Sequence, residues 1–237
     1  MNEFFTNVVH GESGVGKSWY ADTSPGPRVI FDVEGGTRWT PSRKVMWDGI
    51  DTPPVYDGTW DTCIVPVRKV DSIRQGFQWL NSGRHPFRSA GIDSLTEVQK
   101  RVVDEIVGSA QMQMQDWGTL LRKVEAQVRA FRDVAAFEGN PLQVVTFVCT
   151  TAEKGKETVV LRPGLQGQLG LSIPYFVDVV TYLTLSVEPD GYLHRKALFQ
   201  PVGGIVAKDR TNMLGTDMLD PTIPKMLDLI FPKEDSA

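Results

Sequence analysis

A glycine-rich loop near the start of the chain constrains its fold more than any other feature of the sequence. Gly11, Gly16, Lys17 and Ser18 fit the pattern G-x-x-x-x-G-K-[ST], and the apolar run Phe4 to Val9 leads directly into it. Glycines let the backbone wrap closely around an anion, with its N–H groups pointing inward. A buried strand followed by this pattern predicts a phosphate-binding loop.

The residue types in the loop predict a role for each position. The Lys17 ammonium is expected to reach the β- and γ-phosphates of ATP, and the Ser18 hydroxyl is expected to ligate Mg²⁺. The alternative is a glycine-rich turn that binds no ligand. The residues predicted to contact the nucleotide are Gly11, Glu12, Ser13, Gly14, Val15, Gly16, Lys17, Ser18 and Trp19.

Length and composition predict a single α/β domain. The chain has 237 residues, of which 41% are hydrophobic, enough for one large domain with a sizeable core. We expect this domain to span residues 1–232 and a flexible tail to follow at 233–237. Residues 36–62 are rich in proline, glycine and aromatic side chains, which predicts a long irregular insertion.

Charge and hydropathy predict a cytoplasmic protein. There is no run of 18 apolar residues, which excludes a membrane-spanning helix on sequence grounds, and we expect no signal peptide. Cys63 and Cys149 lie in apolar runs and are expected to be buried thiols. A net charge of −4 predicts that any contact with nucleic acid is local.

The hydrophobic periodicity predicts a mostly parallel sheet flanked by helices, with an antiparallel hairpin near the C-terminus. We predict a helix at 72–83 with Asp71 as its N-cap, a helix at 96–108, and a long helix beginning near Trp117. A polar loop is expected at 109–115, and a loop-rich segment at 152–172. The predicted hairpin joins strands at 175–187 and 192–202, and the other predicted strands are "RVIFDVEGG", "CIVPV", "RSAGIDSL" and "LQVVTFVCTT".

Two acidic residues at the ends of predicted strands are candidates for the chemistry. We expect both at the carboxyl ends of strands next to the strand of the phosphate loop, where the crevice of such a sheet lies. Asp93 follows "SAGI" and is a candidate for holding Mg²⁺ through the water molecules bound to the ion. The alternative is that Asp93 is a helix N-cap. Glu34 ends "VIFDV" and is a candidate for activating water on the γ-phosphate; for Glu34 and its neighbour Asp32 the alternative is an ordinary acidic turn.

The order of these motifs resembles that of the RecA superfamily of ATPases. "FDVEGG" is similar to the family's strand that ends in a catalytic Glu, "IDSLTEV" to its Walker B strand, and "VVTFVCTT" to its sensor strand. The resemblance implies a RecA-like P-loop core in which Glu34 activates water, Asp93 holds Mg²⁺, and Thr150 or Thr151 senses the γ-phosphate. "DSLTEVQ", "DWGTLLRKVE" and "AKDRTNML" resemble small phage-encoded RecA-like ATPases of the single-strand annealing type.

That resemblance implies a DNA-stimulated, Mg²⁺-dependent ATPase acting on single-stranded DNA in phage recombination or strand annealing, in the cytoplasm of a bacterial host. A single-strand binding protein is a possible partner. The family's DNA path is lined by loops that correspond here to 108–116 and 153–172. The second carries Lys154, Lys156 and Arg162, which suit phosphate contacts; the alternative is a solvated basic turn.

A pair of basic residues predicts contacts between subunits. Lys208 and Arg210 lie two apart, so on a strand they project to the same side. They resemble the paired cations of RecA-type proteins, which reach the neighbouring subunit's γ-phosphate. This implies a homo-oligomeric ring or filament with nucleotide between subunits. The alternative is that they pair with Asp209, Asp217 or Asp220 on the surface.

Two other functions fit the same loop. One is an ATP-gated assembly or loading factor that contacts a partner protein. The other, which the sequence favours less, is a small-molecule kinase, whose lid could use Arg38 and Arg43 of the 36–62 insertion.

Overall fold

The computed structural model of the chain describes residues 3–155 and 159–233. In this part of the chain, eleven strands form one sheet. Apolar and β-branched runs form its central members, as expected for strands buried on both faces. The strands are β1 (Phe5–Gly11), β2 (Arg28–Asp32), β3 (Lys44–Met46), β4 (Thr62–Pro66), β5 (Ser89–Asp93), β6 (Val144–Lys154), β7 (Val160–Pro163), β8 (Val179–Val187), β9 (Leu193–Leu198), β10 (Lys208–Asp209) and β11 (Asp217–Leu219).

The sheet is mostly parallel, as the sequence predicts. Its order is β11-β9-β8-β1-β6-β5-β2-β4-β3, with β10 paired to β8 and β7 paired to β6. Every pair from β8 to β3 is parallel, while β9 runs antiparallel to β8 and forms the predicted hairpin. The carboxyl ends of β1, β6, β5 and β2 therefore lie along one edge of the sheet.

Helices cover both faces of the sheet. One core cluster packs helices α2 to α5 on one face, and a second packs α1 and α6 on the other. This two-sided burial explains why the central strands carry apolar residues in succession. The helices are α1 (Lys17–Ala21), α2 (Val70–Ser82), α3 (Leu95–Val107), α4 (Met114–Ala136), α5 (Leu169–Phe176) and α6 (Ile223–Ile230).

Phe131 of α4 is at the centre of the larger cluster. Its ring lies 5.0 Å from that of Phe77, 5.5 Å from that of Phe31 and 6.3 Å from that of Phe147, between centroids. Burying one such side chain contributes roughly 1.5–3 kcal/mol, and edge-to-face pairs add to it. The cluster joins α2 and α4 to β2 and β6, and so fixes the strands that end at the candidate site.

The boundaries of several elements differ from the predicted ones. The N-cap of α2 is Lys69 and not Asp71, which lies inside the first turn and forms an ion pair with Arg74. The strand predicted at 175–187 begins only at Val179, because the preceding residues end helix α5. The insertion at 36–62 contains a 3-10 helix, Thr37–Trp39, and the edge strand β3, so it is irregular only in part.

Besides β3, four elements of the fold were not predicted: β7, α5, α6 and β11. The loop-rich segment 152–172 contains β7 and the start of α5, and the C-terminal helix α6 packs on the second core cluster. Cys63 and Cys149 are buried thiols, as predicted. Four residues of the predicted tail, 234–237, lie outside the described residues. Within residues 3–155 and 159–233, every helix is too short or too polar to cross a lipid bilayer.

Candidate nucleotide-binding site

The glycine-rich loop connects β1 to α1, as the motif requires. Gly14 and Gly16 have φ angles of +82° and +92°, a region that side-chain-bearing residues rarely adopt. Gly11 has no room for a Cβ, which would collide with the carbonyl oxygen of Leu183 in β8. The loop therefore takes a conformation that glycine at these positions permits.

Lys17 reaches back over the loop. Its ammonium donates hydrogen bonds to the carbonyl oxygens of Gly11, at 2.9 Å, and Glu12, at 2.7 Å. Burial lowers the pKa of Lys17, while the nearby carboxylates of Asp93 and Glu34 act in the opposite direction. The ammonium thus lies between the loop and the two predicted acids, where it can contact a phosphate chain.

The two acids reach the loop from strands that are not its neighbours. β6 lies between β1 and β5, and β2 lies one strand further away. The expectation that these acids end strands next to β1 is therefore wrong: β6 and β8 occupy those positions. Asp93 and Glu34 nevertheless line one cavity of about 300 Å³ with Lys17, because all these strands end at the same edge.

The structure fits a Mg²⁺ ion between Ser18 and Asp93. The Oδ2 atom of Asp93 is buried and has no hydrogen-bond partner among the described residues. A Cβ on Gly36 would lie 3.3 Å from Ser18 Oγ and 4.0 Å from this oxygen, so both atoms face the same small space. Hydroxyl and carboxylate oxygens are ligands that Mg²⁺ accepts. Asp93 is not a helix cap, since Ser94 caps α3.

Glu34 is exposed and follows β2. Its carboxylate accepts a hydrogen bond from the Ser94 hydroxyl, whose oxygen also accepts one from the backbone N–H of Glu97. Asp32 has the turn-forming role, because its carboxylate accepts hydrogen bonds from the backbone N–H groups of Gly35 and Thr37. Glu34 therefore faces the end of β5, and Asp32 shapes the loop that places it there.

The two predicted sensor residues have different surroundings. Thr150 is exposed and lines the cavity, and its backbone N–H donates to Thr96 Oγ1 of α3 at 3.1 Å. Thr151 contacts His10 of β1, with 3.0 Å between its Oγ1 and His10 Nδ1. Burial lowers the pKa of His10 to about 4, so the imidazole is neutral at pH 7. Thr150 is the one that faces the phosphate loop.

The predicted DNA-contacting residues lie in and beside the β6–β7 hairpin. β6 continues past the end of β1, and Lys154, its last residue, is exposed. Arg162 lies opposite Ala152 in this hairpin, and its Nε atom is buried without a partner among the described residues. Lys156 lies outside the described residues. Of these three basic residues, Lys154 is thus the one that the structure shows to be exposed.

Lys208 and Arg210 lie far from the loop of their own chain. The Lys208 ammonium donates to the carbonyl oxygens of Pro174 and Val177, and Arg210 forms an ion pair with Asp178 at 3.0 Å. The two side chains do project to the same side, as predicted. Because Asp178 hydrogen-bonds to the start of β1, both cations lie at the opposite edge of the sheet from the phosphate loop.

Sequence reasoning missed Ser94, which lines the cavity, and the residues that hold the two threonines, Thr96 and His10. A signal existed for Ser94, since Ser-x-x-Glu is a capping-box pattern and Glu97 lies three residues later. Thr96 and His10 had none, because their partners lie 54 and 141 residues away along the chain.

Comparison with known proteins identifies the family. Residues 5–211 match the AAA domain family. The fold is similar to that of a prototypical ATPase from the type III secretion system of pathogenic bacteria, with 12% identity, a TM-score of 0.48, and coverage of 76% of this chain. The chain spans about half of that ATPase, 52% of its length. No curated protein matches the chain. Because the family match covers most of the chain and includes the phosphate loop, the chain belongs to the AAA domain family.

Proposed function

We propose that the protein is a RecA-like ATPase that binds and hydrolyses ATP with Mg²⁺ while acting on single-stranded DNA, in phage recombination or strand annealing. The observation that carries the hydrolytic part is the placement of Glu34. Its carboxylate lines the same cavity as Lys17 and Asp93 and has a fixed orientation through Ser94. A carboxylate at the terminal-phosphate end of a P-loop suits activation of an attacking water.

Each residue of the cavity has a distinct task in this proposal. Lys17 binds the β- and γ-phosphates, Ser18 and Asp93 hold Mg²⁺, and Glu34 orients and deprotonates the water. When bound, Mg²⁺ neutralises the charge that builds up on the phosphate oxygens. Thr150, tied to α3 through Thr96, links the cavity to the β6–β7 hairpin.

The DNA part of the proposal is supported by the position of that hairpin. It extends the sheet edge that carries the nucleotide site, and Lys154 is exposed at the end of β6. A cation on an exposed hairpin suits contacts to a phosphodiester backbone, which are independent of base sequence and weaken with salt. Arg162 and Lys156 are proposed to support the same path.

The kinase alternative is less well supported. Arg43, one of its two candidate lid arginines, forms a bidentate pair with Asp61, with distances of 2.9 and 2.8 Å. It precedes β3, whose first residue pairs with the first residue of β4, so it lies at the amino edge of the parallel strands. The phosphate loop occupies the opposite edge, too far for a lid built on Arg43.

Rates of ATP hydrolysis with and without single-stranded DNA test the proposal. We expect DNA to raise the rate of ATP hydrolysis. Lys154→Glu is expected to weaken DNA binding and to make it less dependent on salt between 50 and 200 mM, by an amount on the order of one lost phosphate contact. Lys123→Glu makes the same charge change on the exposed surface of α4 and is the matched control. Equal rates of ATP hydrolysis with and without single-stranded DNA would favour the assembly or loading factor instead.

A further inference from the structure

Arg195 projects from the β8–β9 hairpin toward the phosphate loop. Its backbone is fixed on both sides: it pairs with Leu185 of β8, its N–H donates to Asp220 Oδ1 at 3.2 Å, and its carbonyl accepts from Asp220 N at 2.7 Å. The hairpin itself abuts the loop, because Leu183 of β8 fills the space beside Gly11. The side chain of Arg195 therefore starts from a rigid part of the sheet.

The guanidinium of Arg195 lies against Gly16. A Cβ added to Gly16 would collide with Arg195 Nε and would lie 3.2 Å from both Cζ and Nη2. The same guanidinium lies over the indole of Trp19, with Cζ 4.5 Å from the ring centroid. Stacking engages the face of the guanidinium and leaves its in-plane N–H groups free to donate.

Arg195 is partly buried and lacks an anionic partner among the described residues. Its Nε is buried without a hydrogen-bond partner, and no carboxylate within the described part of the chain pairs with it. Arg43 and Arg210, in contrast, each form an ion pair with an aspartate. A guanidinium is a cation with five N–H donors, and a donor that is buried without a hydrogen-bond partner costs free energy. An anion beside Gly16 would satisfy it.

We propose that Arg195 is a nucleotide-binding residue, supplied by the same chain, whose guanidinium contacts the phosphate chain of the bound nucleotide. The inference rests on the proposed nucleotide site and adds a residue to it. In the sheet, β8 and β9 lie on one side of β1, and the strands of Asp93 and Glu34 lie on the other. Arg195 therefore contacts the phosphates nearer the nucleoside, which ADP retains, and Trp19 holds its guanidinium in place.

Calorimetric binding of ADP to the full chain, without DNA, tests this. We expect Arg195→Gln to weaken ADP binding about tenfold or more, since charge-assisted hydrogen bonds are among the strong ones. Arg195→Lys keeps the charge but loses the planar fork, and is expected to fall in between. Arg129→Gln is the matched control, because Arg129 also stacks on an aromatic ring, that of Phe176 at 4.4 Å, but lies on α4.

Inorganic pyrophosphate separates a phosphate contact from a nucleoside contact. We expect Arg195→Gln to weaken pyrophosphate and ADP binding by similar factors; a loss for ADP alone would overturn the phosphate assignment. If folded Arg195→Gln binds ADP with unchanged affinity while Lys17→Ala does not bind it, the proposed role of Arg195 is wrong and the nucleotide site itself stands. Equal rates of ATP hydrolysis with and without single-stranded DNA would contradict the proposed function but not the role of Arg195.

If Arg195→Gln does not fold, as judged by the loss of a cooperative thermal transition, chemical modification of the unsubstituted protein tests the proposal instead. Arginine-selective dicarbonyl reagents modify accessible guanidinium groups, and peptide mass mapping locates the modified residue. We expect ADP to protect Arg195 and to leave exposed Arg122 of α4 equally modified. Equal modification of Arg195 with and without ADP would overturn the proposal.

Discussion

The hydroxyl of Ser94 donates a hydrogen bond to the carboxylate of Glu34, which joins the first turn of α3 to the loop that follows β2. The same hydroxyl oxygen caps α3 by accepting from the backbone N–H of Glu97. One side chain therefore fixes a helix end and orients the proposed water-activating acid.

Ser94→Ala removes both interactions. We expect a loss of about 1 kcal/mol in the free energy of unfolding from the missing cap, together with slower ATP hydrolysis because Glu34 is no longer held. Thr222→Ala is the matched control: it removes the cap of α6, on the other face of the sheet, and we expect a comparable stability loss with an unchanged rate. Equal rates in the two variants would contradict the orienting role of Ser94.

The pH dependence of Mg²⁺-assisted nucleotide binding reports on Asp93. The pKa of this carboxyl is raised to about 6. Burial is the largest cause, Asp32 and Glu34 act in the same direction, and Ser18 and Lys17 act in the opposite one. Because Mg²⁺ binds the ionised form, we expect affinity to rise between pH 5 and pH 7. Asp93→Asn should abolish that step, and a step of the same size in this variant would contradict the assignment.

The same pKa shift has a consequence for stability. Between the usual value of 3.8 and about 6, the folded protein binds more protons at Asp93 than the unfolded chain does. The contribution of Asp93 to the stability of the metal-free protein is therefore lost as pH rises through this window. Thermal unfolding of the native protein and of Asp93→Asn across pH 4–7 measures the difference, and the two curves should diverge with that sign.

Local patterns were sufficient to predict which residues meet at the candidate site, but not the contacts that hold them there. Lys17, Ser18, Glu34 and Asp93 each follow an apolar strand, and parallel strands bring their carboxyl ends to one edge. The position of β6 between β1 and β5 could not be predicted, because the composition of a strand does not specify which strand it pairs with.

Long-range partners explain the remaining differences. Arg195 lies far along the chain from the phosphate loop, and the pairing of β9 with β8 and of β8 with β1 brings it to Gly16. The three-residue strand β3 forms because β4 is available beside it, and its own sequence is too short to carry a periodic signal.

Mixing two inactive variants tests the proposal that Lys208 and Arg210 act across a subunit boundary. We expect Arg210→Ala and Lys17→Ala to be inactive alone and to regain part of the ATPase rate when combined, because one junction then has both an intact loop and an intact arginine. Asp178→Asn, which removes the ion-pair partner of Arg210, should leave hydrolysis in place. Normal hydrolysis by Arg210→Ala alone would contradict the trans arrangement.

The most direct test of the central claim is the rate of phosphate release by Glu34→Gln, measured beside its affinity for ATP. We expect this variant to bind ATP as the native protein does, whereas hydrolysis slows about 10²- to 10⁴-fold, because the acid acts on water and not on the nucleotide. Lys17→Ala, in contrast, is expected to lose binding or hydrolysis through the missing charge. A normal rate of phosphate release by Glu34→Gln would contradict the account.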